Sequence, residues 1–263
     1  MRSLLYCFLF FCVILFCAGC LKQKCGCVPP PDATGNGSYK LFYSDSVYYL
    51  NNSSADYTVK PVIARTDGSY SSFPDGLKLD DKTGAISVNQ SETGLRYRVS
   101  FTAANGSVFS AMVVISGVNY IDSYYRLGQG DSIALPVYNA NGPLGYAGSF
   151  DYSGSAQAEG VAITAATGAI NLAKTLRNGL FGSHPWEKRK EIEVRYKLND
   201  KSNGSSNSIK ILLYYYRRLS DVPQELRQTV DEHLSMMLHS TDTNATSKIA
   251  AKPRPPCVII IAE

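Results

Sequence analysis

The sequence predicts an all-β protein, two tandem antiparallel β-sandwiches followed by a C-terminal α-helix. Three observations carry this. The stretch Gly76-Leu77-Lys78-Leu79-Asp80-Asp81-Lys82-Thr83-Gly84-Ala85-Ile86 returns 84 residues later as Gly160-Val161-Ala162-Ile163-Thr164-Ala165-Ala166-Thr167-Gly168-Ala169-Ile170. Short runs of alternating apolar and polar residues, separated by Gly- and Asn-rich turns, fill both copies. A helical apolar period begins only after Ser220.

Taken in order, the chain opens with Met1-Arg2, an apolar run from Leu4 to Phe16, and Cys17-Ala18-Gly19-Cys20. A positive start, a hydrophobic stretch and small residues at the cut make residues 1–19 a secretory signal. The run of about 13 apolar residues is short for a membrane-spanning helix. Ala-Gly-Cys resembles the bacterial lipobox, although Cys17 stands where Leu is usual. That resemblance implies that Cys20 carries the lipid, an effectively permanent hold on the membrane. Leu21 in place of Asp implies, by the same resemblance, the outer membrane. Lys22-Gln23-Lys24 lacks the acidic cluster that resembles the surface-export signal of Bacteroidetes lipoproteins, which favours the periplasmic face. Residues 20–37 are expected to be a lipidated stalk, extended where Val28 to Gly37 is rich in Pro and Gly.

Residues 38–118 form the first expected domain. Leu77 and Leu79 alternate with polar residues, and the turn formers Asp80 to Gly84 close a hairpin. Gly84 and its counterpart Gly168 stand where a tight turn asks for positive φ. Tyr97, Val99 and Phe101 alternate along a strand, and Val108 to Ile115 follows across Asn105-Gly106-Ser107. The second domain, 119–219, repeats the plan. Ser38-Tyr39-Lys40-Leu41 and Asp45-Ser46-Val47 align with Ser123-Tyr124-Tyr125-Arg126-Leu127 and Asp131-Ser132-Ile133. Ile192, Val194 and Tyr196 match the alternating strand 95 residues on, so an insertion of about eleven residues lies inside Ala173 to Lys190. Ile209 to Tyr216 closes the copy across Asn203-Gly204-Ser205.

The Gly-Leu-x-Leu-Asp-x-x-Thr-Gly-x-Ile hairpin, the start after Asp-Ser and the Tyr-x-Val-x-Phe strand resemble the immunoglobulin-like, cadherin-related repeats of bacterial surface proteins. The resemblance covers 38–118 well and 123–216 more loosely. It implies two immunoglobulin-like sandwiches, and such modules serve as spacers, adhesins and glycan-binding accessories alike.

In residues 220–240, Asp221 and Pro223 start a helix whose stripe is Val222, Leu226, Val230 and Leu234, extended by Met237 and Leu238. The stripe can pack on the second sandwich or serve a partner. Residues 241–263 read as a polar tail ending in the β-prone Val258-Ile259-Ile260-Ile261. That strand needs a partner, either an edge of its own sandwich or another protein.

A chain of 263 residues with a formal charge of +4 is too mildly basic to argue nucleic acid. The three histidines, His184, His233 and His239, form no nucleophile-base or metal-ligand pattern, and there is no phosphate loop or dinucleotide fingerprint. No enzyme activity, cofactor or metal is expected. Cadherin-type calcium would need an acidic linker, whereas the junction is Gly117-Val118-Asn119-Tyr120-Ile121-Asp122-Ser123. Asp80 and Asp81 read as solvated turn residues.

The candidate ligand site is the insertion, with Phe181, His184 and the sole tryptophan Trp186; Phe181 and Trp186 can equally fold back onto their own sandwich. Cys25, Cys27 and Cys257 remain once the leader has gone and Cys20 is lipidated, and a bridge from Cys25 or Cys27 to Cys257 would tie tail to stalk. Ser46 and Ser132 resemble Asp-Ser-apolar glycosylation acceptors, with a strand-start role as the alternative. The expectation is a non-enzymatic, lipid-anchored cell-envelope binding or structural module. Its alternatives are a glycan-binding accessory using the Trp186 loop and a scaffold subunit contacting a protein partner through the helix stripe and the Val258 to Ile261 strand.

Overall fold

The computed structural model describes residues 39–52, 57–140, 142, 147–183, 185–239 and 252–263. Residues 1–38, which hold the expected leader and stalk and carry Cys20, Cys25 and Cys27, lie outside them, as does His184. Residues 39–263 make one compact unit. The class is all-β, and none of the described helices is long and apolar enough to cross a membrane.

The first half begins with β1 (Val47–Tyr48), β2 (Thr58–Val59), β3 (Gly68–Phe73) and β4 (Ile86–Ser87). It ends with β5 (Leu95–Ala103) and β6 (Val108–Ile115). These form a four-stranded sheet in the order β1-β6-β5-β3 and a two-stranded pair, β2 with β4. Leu95, Tyr97, Val99, Phe101 and Ala103 are buried along β5 while the residues between them are more exposed. That period of two is what a half-covered strand requires. The buried members join Ile86 and Val88 in the first core.

The second half contains β7 (Val118–Tyr120), β8 (Ser123–Arg126), β9 (Ile133–Ala134) and β10 (Pro136–Tyr138). Then follow β11 (Gly148–Phe150), α1 (Ser155–Ala158), β12 (Ile170–Asn171) and α2 (Leu172–Arg177). Next come β13 (Lys188–Leu198), β14 (Asn207–Tyr216), α3 (Gln224–His239) and β15 (Cys257–Ile261). The main sheet runs β11-β13-β14-β15-β8, beside the pairs β10 with β7 and β12 with β9.

The repeated hairpin is reproduced bond for bond. Asp80 N–H donates to Ala85 O at 2.8 Å, and Thr164 N–H to Ala169 O at 2.8 Å. Gly84 N–H donates to Asp80 O at 2.9 Å, and Gly168 N–H to Thr164 O at 2.8 Å. Both glycines lie at positive φ, +69° and +71°, and a Cβ there would strike Tyr70 and Phe150, the matching aromatics of β3 and β11. Glycine is therefore required twice over.

Upstream the structure corrects the alignment. Tyr43 bridges Pro61 as Tyr120 pairs with Pro136, which makes Asp45-Ser46-Val47 equivalent to Asp122-Ser123-Tyr124. Val47 lies parallel on β6, whereas Ile133 pairs antiparallel with β12 in a different sheet. Asp131-Ser132 is therefore a second, unrelated Asp-Ser.

The larger departure is β15. In the first half β1 lies directly against β6, Val47 opposite Val114. In the second, β15 occupies that place, with Cys257 opposite Leu212, and it displaces β8 outward by one strand. The chain end is thus an inner strand, parallel to both neighbours. All five of its residues are buried, with Val258 and Ile260 in the second core and Cys257, Ile259 and Ile261 under α3. An unbroken apolar run is what a parallel strand covered on both faces requires. Burying the four aliphatic side chains contributes on the order of 6–12 kcal/mol as an upper estimate. That rivals the net stability of a whole domain, so β15 is integral to the second half and not part of a tail. The helix begins at Gln224, because Asp221 closes the preceding turn, Leu219–Asp221, by accepting from Arg218 N–H at 3.0 Å.

Candidate functional site

The two halves meet through buried hydrogen bonds. Tyr196 Oη, on β13, accepts from Val118 N–H at 3.2 Å and from Asn207 Nδ2 at 2.8 Å, and shares a 3.1 Å bond with Thr93 Oγ1. Arg254 Nη2 donates to the carbonyls of Thr93 and of Val118, the latter at 2.7 Å. Asp200 Oδ2 accepts from Ser116 Oγ and Tyr138 Oη, both at 3.0 Å. At Gly117 a Cβ would lie 2.7 Å from Thr93 and 2.8 Å from the Tyr196 hydroxyl, so only glycine lets the halves approach this closely. Buried polar networks of this kind fix one arrangement when they are satisfied.

Beside this junction runs a groove. The β5 to β6 connection, 104–107, is tight, while its counterpart between β13 and β14, 199–206, is twice as long. Asn203 at φ +52° and Gly204 at +70° make its turn. The longer loop reaches the first half, where Asn52 Nδ2 donates to Ser206 O at 3.3 Å and Ser205 Oγ to Leu50 O at 3.5 Å. The groove between them has a volume of about 670 Å³ and is lined by both halves, including Tyr49, Asn52, Tyr57, Lys197, Lys201 and Asn203. A second hollow of about 350 Å³, with Tyr152 and Arg195 on its wall, shares Leu50, Asn52 and Ser206 with it. The Lys201 ammonium lies 5.6 Å from the Tyr49 ring and that of Lys197 4.9 Å from Tyr152. Among the described residues, none that lines the larger groove is acidic. Amides that both donate and accept, tyrosine faces and two ammonium groups suit a hydroxyl-rich or anionic ligand.

The insertion is built differently. Asn171 caps α2 by accepting from Lys174 N–H at 2.8 Å, and the chain then turns at Gly179 so that Leu180 and Phe181 enter the core. Phe181 is 3 % exposed, which removes its ring from any ligand. Trp186 is 45 % exposed and stacks on Tyr215 with centroids 4.7 Å apart. Phe181 folds back as an inward plug and Trp186 remains a single outward ring. His184, the third member expected of this site, lies outside the described residues.

Cys257 is an unpaired thiol at the head of β15, 1 % exposed. Burial first, then the Asp122 carboxylate beside it, push that thiol up to about 12. The expectation that Cys257 rides outside the folded halves is therefore corrected. A bridge to Cys25 or Cys27, which lie outside the described residues, would require withdrawing it from the sheet. Ser46 is exposed, its N–H held by Asp45 Oδ1 at 2.6 Å. Ser132 is half-buried, its carbonyl accepting from Leu172 N–H at 2.8 Å. The stripe members Val222, Leu226 and Val230 pack with Ile259 and Ile261, so these three and the terminal strand are taken up within the second half; the side chains of Met237 and Leu238 lie outside the described residues.

Sequence reasoning misses two groupings. Of the groove residues, those of the 199–206 loop are visible in the sequence only as turn formers, although a longer second loop is a signal. His233 makes a poor pair with His239, yet its Nδ1 lies 2.8 Å from Asp122 Oδ1 and both are buried. The chain matches no protein-family model and no curated protein.

Proposed function

We propose that the protein is a non-enzymatic, lipid-anchored binding module of the bacterial cell envelope, held at the outer membrane through Cys20. In this reading its two halves are immunoglobulin-like sandwiches joined as one rigid body. The ligand is a glycan carrying acidic groups, taken up in the groove at the junction. The observation that carries the reading is that residues of both halves line one polar groove whose described lining residues include two lysines and no acidic side chain. A rigid junction supports it as well, because a preformed groove avoids the ordering cost of assembling a site from two swinging domains.

The groove replaces the Trp186 loop as the preferred site because Trp186 offers one ring, whereas the groove offers stacking faces, amides and cations together. The test is a glycan array probed with the intact ectodomain, followed by titration of any hit. Lys201→Ala and Asn203→Ala should each weaken binding at least tenfold while Trp186→Ala leaves it unchanged. The reverse pattern returns the site to the Trp186 loop. Absence of binding to every glycan, with the fold intact, rejects the glycan reading.

A further inference from the structure

Asp122 lies between β7 and β8 and is 1 % exposed. Its Oδ1 meets two neighbours, His233 Nδ1 at 2.8 Å and Cys257 N–H, which donates at 2.7 Å. Its Oδ2 is buried with no hydrogen-bond partner among the described residues. A buried carboxylate with an unsatisfied oxygen is costly and asks for a compensating positive charge. The Cys257 thiol completes the cluster. One donor atom from each of Asp122, His233 and Cys257 falls within 4.8 Å of the others, and all three residues are buried. They come from the β7 to β8 turn, from α3 and from the head of β15, so the cluster forms only when the chain end is in place.

A nucleophilic triad is the wrong reading of this geometry. Although His233 Nδ1 meets the carboxylate as the imidazole of a triad would, the thiol is made more basic by burial and by that same carboxylate, the opposite of an activated thiolate. Mixed sulfur, nitrogen and oxygen donors on separate elements suit instead a soft to borderline divalent metal. We propose that Asp122, His233 and Cys257 form a binding site for a divalent cation of the zinc class, which clamps β15 and α3 to the turn that precedes β8. Binding replaces the thiol proton, Cys257 S–H giving S–metal and one H⁺ released to solvent. Zinc-ligand bonds of about 2.0–2.3 Å put donors roughly 3.2–3.8 Å apart. The widest separation therefore closes by about an ångström, while the 2.8 Å pair of His233 Nδ1 and Asp122 Oδ1 opens slightly to admit the ion; a fourth position would fall to water or a small anion.

The experiment uses the full chain with every cysteine except Cys257 changed to serine, stripped with chelator and titrated with Co²⁺. One equivalent should bind with a thiolate-to-cobalt charge-transfer band, and Zn²⁺ should displace it and raise the melting temperature. Cys257→Ser should abolish the band, and His233→Gln, which keeps a polar side chain of similar reach, should weaken binding at least tenfold. If the Cys257→Ser variant does not fold, the parent chain still decides. No Co²⁺ uptake, uptake without the sulfur band, or a band unaffected by His233→Gln would overturn the assignment.

Discussion

Tyr120 and Gly168 are joined by a buried hydrogen bond, the phenol donating to the carbonyl at 2.6 Å. Tyr43 repeats the bond on Gly84 at 2.7 Å. This pair of bonds defines the repeat better than any aligned residue string, since each fixes the opening segment of a half onto its glycine turn. Removing the Tyr120 hydroxyl strands a buried carbonyl without that partner. Tyr120→Phe should lower stability by about 1–3 kcal/mol, read as a drop in the urea midpoint with an unchanged slope. Tyr43→Phe should cost a similar amount.

The inner position of β15 gives a second expectation. Ile260 packs into the second core with no exposure, so Ile260→Ala should cost about 2–5 kcal/mol. Deleting residues 252–263 should do far more, because β14 and β8 would each lose their shared partner. The truncated chain should lose protease resistance across 118–216 while the first half keeps its own. Equal resistance in both halves would mean that β15 is dispensable.

Much of this fold is legible in the sequence because it is local. The hairpins around Gly84 and Gly168 are specified by contiguous residues, and the alternation in Tyr97 to Phe101 states which face is buried. The place of β15 is not legible in the same way, since pairing of Cys257 with Leu212 and of Val258 with Ser123 joins segments far apart in sequence. The unbroken Val258 to Ile261 run does hint at burial on both faces. The upstream alignment fails because two Asp-Ser pairs, at Asp122 and Asp131, compete, and sequence similarity favours the one that the sheet register rejects. The Asp122, His233 and Cys257 cluster has no spacing motif at all, since its members converge only through the fold. The groove is legible only in part: Asn203-Gly204 announces a turn, while the reach of that loop to Asn52 depends on how closely Gly117 lets the halves approach.

Closeness at the junction can be tested at a neighbouring glycine. Gly94 has φ +73°, and a Cβ there would lie 2.5 Å from the Val118 carbonyl oxygen across the junction. Gly106 has φ +84° but open space around its missing Cβ. Gly106→Ala should therefore show the conformational cost alone, about 1–2 kcal/mol. Gly94→Ala adds a backbone clash to it and should cost at least twice as much. It should also broaden the distribution of distances between spin labels placed one on each half. Equal costs for the two substitutions would mean that the junction yields readily.

The first hairpin carries a pH dependence that the second lacks. Asp80 accepts from Lys82 N–H at 3.0 Å, Thr83 N–H at 2.8 Å and Thr83 Oγ1 at 2.9 Å. These bonds, those of Thr83 first, hold the Asp80 carboxyl below the usual carboxylate range. A folded-state pKa below the unfolded value means that the ionised form is favoured by folding. The contribution is therefore complete above the unfolded pKa of about 3.9, and it is lost as pH falls through the lower folded value. Asp80→Asn keeps an acceptor but removes the charge, so the stability difference between parent and variant should be present at neutral pH and shrink below about pH 4. In the second copy Thr164 stands at this place, and Thr164→Ala should give a difference that does not change with pH. Urea denaturation at several pH values between neutral and about pH 2 distinguishes the cases. A flat difference between the parent and the Asp80→Asn variant across that range would show that the three bonds do not favour the carboxylate.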